Sequence, residues 1–356
     1  MKPIFVIGAV VTLGIAALVV SQKVRTTASH VTAGKTVGIP SAAGAAPGSP
    51  TTVARRLFSY DKTNPPPLLT LAQAEAFVEQ HQRKPEALLA AYQASLDESF
   101  LREALEKHPQ DPRVALAAAV NGGPDPKHVR QAPSNRTSLD TFKRSAPDNA
   151  LADYLSARDH FRMGQASLAV KECLAADAKS MQDYSLDKAQ NTEAAYRSAG
   201  YSEAESKAIS ETTLLMPHIA PLRELARDLT TAATTHRQRG DEASAQKLLR
   251  TAMSIGSRLD APGALTLLQS IVGVAVQLDV LQSLDPAATL PDSGVTVQAQ
   301  IGHLRQRREA IQAASRQFHA LLEVMSDEDT IAYFERLKKL GEEAAMLWVI
   351  TNHPTQ

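Results

Sequence analysis

Apolar and polar positions divide the chain into stretches of different character. Pro3 to Val20 is an uncharged, almost wholly apolar run of 18 residues, and Ser21 to Pro67 has no periodicity at all. From Thr70 onward, short apolar-periodic segments are bounded by helix signals. Thr70-Leu-Ala-Gln73 reads as a capping box, and Asp111-Pro112 places an N-cap and a first-turn proline before Val114–Val120. Asn121-Gly122-Gly123-Pro124 closes that helix, and no segment alternates β-branched residues between turn signals, so no strand is expected.

Ala261 to Leu284 is the most apolar later segment, but Gln269, Ser270, Gln277 and Asp279 interrupt it too often for a membrane span. It reads as a buried helix. Pro286 and Pro291 mark a loop. Ile301, Leu304, Ile311, Phe318, Leu322 and Met325 then follow a seam of three- and four-residue steps, with Arg308 and Ser315 at its polar positions. That spacing predicts a long helix from Val297, paired antiparallel with a final helix over Asp327–Ile350. An exposed surface for homo-oligomerisation is the alternative use of the seam.

Composition narrows the fold class. The chain has 58 alanines but only 16 aromatic residues in 356. A β-sandwich or barrel needs aromatic and β-branched residues on its pleated faces, whereas alanine favours closely packed helices. Cys173 stands alone, which excludes an intramolecular disulfide framework and any multi-cysteine zinc site.

Charge is balanced overall, with 38 basic and 38 acidic residues, yet no acidic residue precedes Asp61. Lys2, Lys23, Arg25, Lys35, Arg55 and Arg56 give the first sixty residues +6, leaving −6 on the remainder. The run from Pro3 to Val20 spans about 27 Å as a helix, enough for a hydrocarbon core. An uncleaved bacterial inner-membrane anchor, with the body periplasmic, is expected. A cleaved signal leading to secretion is the alternative, with only a poor Val-x-Ser site after the run. No cysteine follows to carry a lipid. The Ser-, Ala-, Gly- and Pro-rich stretch beyond reads as a disordered tether of roughly 35–40 Å end to end. Ala33-Gly34-Lys35-Thr36 ends like a phosphate-binding loop, but Ser29 stands where that motif needs its first glycine.

Internal periodicity is the most specific signal. With Gly164 set above Gly240, alanines recur seven before (Ala157, Ala233), five after (Ala169, Ala245) and twelve after (Ala176, Ala252), and His160 and His236 fall four before. The glycines lie 76 residues apart, twice 38, and Pro109 and Pro147 lie 38 apart. This pattern resembles the tetratricopeptide repeat, a unit of two antiparallel helices with small residues at these positions. A methyl at each crossing lets the helices approach closely. The match departs from the family at Asp153 and Ser156, where large apolar residues are usual, and at Met181 and Ser257, which replace the closing proline. His160 and His236 occupy a position that is usually tyrosine. Leu96 to Pro112 resembles the second half of a further unit.

The resemblance implies an all-α array of antiparallel helix hairpins, here followed by a C-terminal long-helix hairpin. The expected divisions are anchor 1–22, tether 23–67, an N-terminal helical region 68–147, repeats 148–258 and a C-terminal region 259–356. It also implies a concave groove lined by the first helix of each unit, falling on Tyr154, Arg158 and Arg162, then on Arg227, Thr234 and Arg237. Guanidinium groups there could take a peptide carboxylate bidentately.

No catalytic constellation is found: H-E-x-x-H, G-x-S-x-G, C-x-x-C and G-x-G-x-x-G are all missing from the sequence. His160 and His236 read as packing residues rather than metal ligands, and Cys173 as a small buried hydrophobe rather than a nucleophile. Arg305, Arg307 and Arg308 lack aromatic interleaving, so no nucleic-acid partner is expected. The sequence therefore points to a membrane-tethered protein that binds a protein or peptide partner without cofactor, metal or catalysis. A carrier of an apolar ligand or lipid, using a cavity beneath Ala261–Leu284, is the alternative.

Overall fold

The computed structural model describes residues 65–121, 135–290 and 293–353. The expected anchor over 3–20, nearly all of the tether and the Gly122–Pro124 helix stop lie outside these residues. Among the described residues, no helix is long and apolar enough to cross a membrane.

The described chain forms fifteen helices and no strand. They are α1 (Leu71–Gln80), α2 (Pro85–Ser95), α3 (Glu98–Lys107), α4 (Pro112–Asn121), α5 (Arg136–Ser145), α6 (Ala150–Arg162), α7 (Ala166–Ala176) and α8 (Ser185–Ser198). There follow α9 (Glu203–Thr212), α10 (Ile219–Gln238), α11 (Glu242–Leu259), α12 (Leu267–Leu281), α13 (Val297–Leu321), α14 (Asp327–Leu340) and α15 (Glu342–Asn352). The caps legible in the sequence are made. Thr70 and Gln73 close a reciprocal box, and Asp111 Oδ1 accepts from the backbone N–H of Arg113 at 2.9 Å and of Val114 at 3.3 Å. Ser202, Thr266 and Ser326 build further boxes at α9, α12 and α14.

Buried side chains gather into two main cores that interleave along the sequence. The first collects Phe77, Leu88 and Phe100 from α1–α3, Tyr196 and Ile209 from α8 and α9, and Phe318, Tyr333 and Phe334 from α13 and α14. The second collects Leu151, Tyr154 and Cys173 from α6 and α7 with Leu222, Leu229, Leu248 and Ile255 from α10 and α11. A small third core joins Val274, Leu278 and Leu281 of α12 to Val297, Ile301 and Leu304 of α13.

Helix α13 links these bodies by changing partner halfway along. Val297, Ile301 and Leu304 face α12, whereas Ile311, Phe318 and Leu321 enter the first core. The polar seam residue Arg308 falls at the changeover and is exposed. Its neighbour Arg307 binds Asp260 at 3.3 Å and also pairs with Glu343. The seam is thus spent within the chain.

The expected single final helix over Asp327–Ile350 is corrected. The chain breaks at Gly341, whose φ of +86° favours glycine, and an added Cβ would strike the backbone carbonyl of Ala264. The break lets α14 pack on α9 while α15 packs on α13.

Three consecutive hairpins share one turn. Gly164, Gly200 and Gly240 have φ of +72°, +94° and +79° and close α6–α7, α8–α9 and α10–α11. In each, the glycine N–H bonds to the carbonyl three residues back. The next N–H reaches five back, from Gln165 to His160 (2.9 Å), Tyr201 to Tyr196 (3.2 Å) and Asp241 to His236 (2.9 Å). This is the Schellman arrangement, which satisfies the last carbonyls of the first helix. Hairpin α10–α11 stacks on α6–α7 through α10 and α6. The intervening α8–α9 hairpin is diverted into the first core, against α2 and α14.

Candidate functional site

The six residues assigned to a groove occupy different environments. Tyr154 is fully buried in the second core, with the Arg258 guanidinium 5.8 Å from its ring centroid, and burial pushes its phenol up to about 12. It does not line an exposed groove. Arg258 itself reaches from α11 across the end of α7, donating to the carbonyls of Asp177 at 2.9 Å and Lys179 at 2.6 Å.

Arg158 is committed between the stacked hairpins. Its Nε and Nη2 donate to Glu224 Oε2 of α10 at 3.0 and 2.5 Å, with Asp228 at 3.8 Å. Arg237 donates to Glu242 Oε2 at 3.0 Å and to the Ser283 carbonyl at 3.3 Å, tying α10 to α11 and to the segment after α12. Thr234 is exposed, but its hydroxyl donates to the Thr230 carbonyl of its own helix at 3.1 Å. Arg162 is exposed at the end of α6. Arg227 is exposed and lines a cleft.

That cleft, of about 400 Å³, runs between α10 and α12. Helix α12 is placed beside α11 by a glycine crossing, where a Cβ on Gly273 would lie 2.5 Å from the Gly256 carbonyl and 2.6 Å from the Asp260 nitrogen. Ala226, Val276 and Val280 give it a buried apolar floor. Arg223 and Arg227 rise along one wall, with Asp279 and Gln282 opposite. Thr230 and Thr231 turn their hydroxyls back onto the carbonyls of Ala226 and Arg227, each at 2.9 Å. Among the described residues, neither Arg223 nor Arg227 has an ion-pair partner. Arg223 was missed by the sequence reading, although it stands four residues before Arg227 and so shares its helix face.

The polar departures from the repeat pattern have a structural reason. Buried Asp153 sits between Lys143 at 3.3 Å and Lys179 at 2.6 Å, and Ser156 accepts from Arg136 Nη2 at 2.8 Å. Both Lys143 and Arg136 come from α5, so these α6 positions face a charged helix rather than an apolar one.

His160 and His236 are neither core packing nor a facing pair. Each is partly exposed, and each spans its own turn: His160 Nδ1 lies 2.7 Å from Gln165 Oε1, and His236 Nδ1 lies 2.9 Å from Asp241 Oδ2. The ring restates in side chains what the backbone bond does beneath it. Cys173 is buried, and burial pushes its thiol well above the usual range, which suppresses the nucleophilic thiolate. Among the described residues, no group of three or more His, Cys, Asp or Glu side chains is placed to hold a metal ion.

Comparison of the chain with protein-family models, curated proteins and solved structures returns no match.

Proposed function

We propose that this chain is a non-catalytic interaction protein, tethered to a membrane by its N-terminal segment with its helical body outside the cytoplasm. In this reading the α10–α12 cleft receives an acidic segment of a protein partner. One observation carries it: among the described residues Arg223 and Arg227 have no ion-pair partner over an apolar floor, while Arg158 and Arg237 are neutralised within the chain. A guanidinium already paired offers a ligand little, because the new bond replaces an old one. Arg223 and Arg227 can take a carboxylate bidentately, over a floor that Ala226, Val276 and Val280 close from within the chain. The stacked hairpins, with buried alanines at Ala157, Ala169, Ala176, Ala233, Ala245 and Ala252, support an extended helical surface of the tetratricopeptide kind.

The carrier alternative has weaker support. The apolar side chains of α12 are spent on α10, α11 and α13, and the opening beside that helix carries charge at its rim.

The test is affinity capture from detergent-solubilised membranes with the full-length chain, beside the Arg223→Ala/Arg227→Ala variant. A partner held by the first and lost by the second is the expected result. An identical set of captured proteins would remove the cleft from the account.

A further inference from the structure

The diverted α8–α9 hairpin carries a second concavity, of about 600 Å³, where the end of α1 and helices α8, α9 and α14 meet. Its floor is ionic. Lys207 Nζ lies 3.0 Å from Glu193 and 3.5 Å from Glu203, and it also pairs with Glu335. Lys338 pairs with Glu193 from the other side. The two lysine side chains are only 6% and 9% exposed, so these charges have been largely withdrawn from water.

Such a cluster is expensive to bury, and the fold has a cheaper solution for the same position. Glu193 stands seven residues before Gly200, as Ala157 and Ala233 stand before Gly164 and Gly240, where a buried methyl closes the crossing. Charge here is therefore not a requirement of the hairpin.

The rim adds cations that the floor does not neutralise. Arg197 and Lys339 are exposed and, among the described residues, have no ion-pair partner. Four cations, Arg197, Lys207, Lys338 and Lys339, line the pocket against Glu193 and Glu335, and Glu203 reaches Lys207 from its edge, which leaves an excess of one positive charge. This positive pocket opens in a body whose formal charge beyond the first sixty residues is −6. A concave site of opposite sign to its surroundings concentrates field lines and draws anions to one place. Gln80 and Gln190 contribute amides that both donate and accept, suited to a hydroxylated ligand body. The volume exceeds what a bare inorganic ion would fill and falls in the range of small-molecule sites.

We infer that this pocket binds a small hydrophilic organic dianion, a phosphate monoester or a dicarboxylate, with Arg197 and Lys339 taking its charge above the Lys207–Glu193–Lys338 floor. The site is separate from the α10–α12 cleft and shares no residue with it. Its failure and the failure of the peptide reading are therefore independent.

Isothermal titration calorimetry of the full-length chain tests this with three probes: glycerol phosphate, malate and, as the monoanion, acetate. One dianion binds saturably and more weakly as salt is added, and which one it is separates the two chemistries. Replacing Arg197→Gln and Lys339→Gln together weakens that binding by about tenfold or more, the usual scale for lost hydrogen bonds to charged groups. Lys339→Arg retains binding and Lys339→Glu loses it, with thermal unfolding reporting that each variant is folded. No heat from either dianion, acetate binding as tightly, or undiminished binding by the double variant would overturn the inference.

Discussion

The stacked α6–α7 and α10–α11 hairpins and the diverted α8–α9 hairpin begin from the same backbone turn and end in different parts of the molecule. In the stacked pair, all three small positions around the glycine are buried alanines. In the diverted hairpin Glu193 replaces the first of them, and because α9 starts one residue later after its glycine than α7 and α11 do, the other two positions fall on Ser206 and Thr213. A methyl at a crossing lets the next hairpin lie directly against it. A glutamate needs cations, and Glu193 finds Lys207 on α9 and Lys338 on α14. The turn thus sets the hairpin, while the residues at the crossing decide what it packs on. The same contrast separates the two openings: the cleft beside α10 has an apolar floor under arginines that have no ion pair among the described residues, and the pocket on α8–α9 has a paired ionic floor.

The contrast breaks most sharply at Glu193. Glu193→Ala leaves the largely buried Lys338 without its ion pair, while Lys207 keeps Glu203 and Glu335, and is expected to cost about 3 kcal/mol, the scale for breaking a buried pair. Replacing Glu193, Lys207 and Lys338 together with Met should recover most of that loss. Chemical denaturation of the single and triple variants measures both, and a nearly neutral Glu193→Ala would mean that the cluster is solvated.

Overpacking comes next. Ala252→Leu should cost roughly 1–3 kcal/mol because the stacked crossing has no room for a larger side chain. The corresponding Thr213→Leu, at a half-buried position, should stay within about 0.5 kcal/mol. Equal effects at the two positions would erase the distinction between the hairpins.

A subtler expectation concerns pH. Burial raises the Glu211 carboxyl of α9 from 4.5 to about 7, and among the described residues its buried Oε1 has no hydrogen-bond partner. The folded state then holds this proton more tightly than the unfolded state. The contribution is therefore full below about 4.5 and is lost as pH rises towards 7. Thermal melts across that window should slope downward with pH in the native chain and less so in Glu211→Gln. Parallel slopes would exclude the carboxyl as their source.

Much of the architecture was legible because it rests on local chemistry. The capping box at Thr70, the N-cap at Asp111, the lack of alternating β-branched segments and the alanine spacing around Gly164 and Gly240 act within a few residues. What was missed depends on neighbours distant in sequence. Tyr154 was placed on a groove because nothing local says that Arg258, more than a hundred residues later, closes over its ring. The α8–α9 hairpin escaped notice because Glu193 and Thr213 break the alanine pattern. Yet Gly200 lies 36 and 40 residues from its two counterparts, and Tyr196 stands four before it, as His160 and His236 stand before theirs. The split at Gly341 had a visible glycine, but the helical periodicity on either side ran past it. Arg223 was missed for the same reason as Tyr154, since its cleft exists only once α12 lies beside α10.

The central claim is that free arginines, rather than paired ones, recognise a partner. Capture efficiency and melting temperature should be measured in parallel for Arg223→Ala/Arg227→Ala and for Arg158→Ala/Arg237→Ala in the full-length chain. The account predicts that the first variant loses its partner with its melting temperature unchanged, and that the second keeps its partner while melting lower. Capture lost by the Arg158/Arg237 variant and retained by the Arg223/Arg227 variant would contradict it.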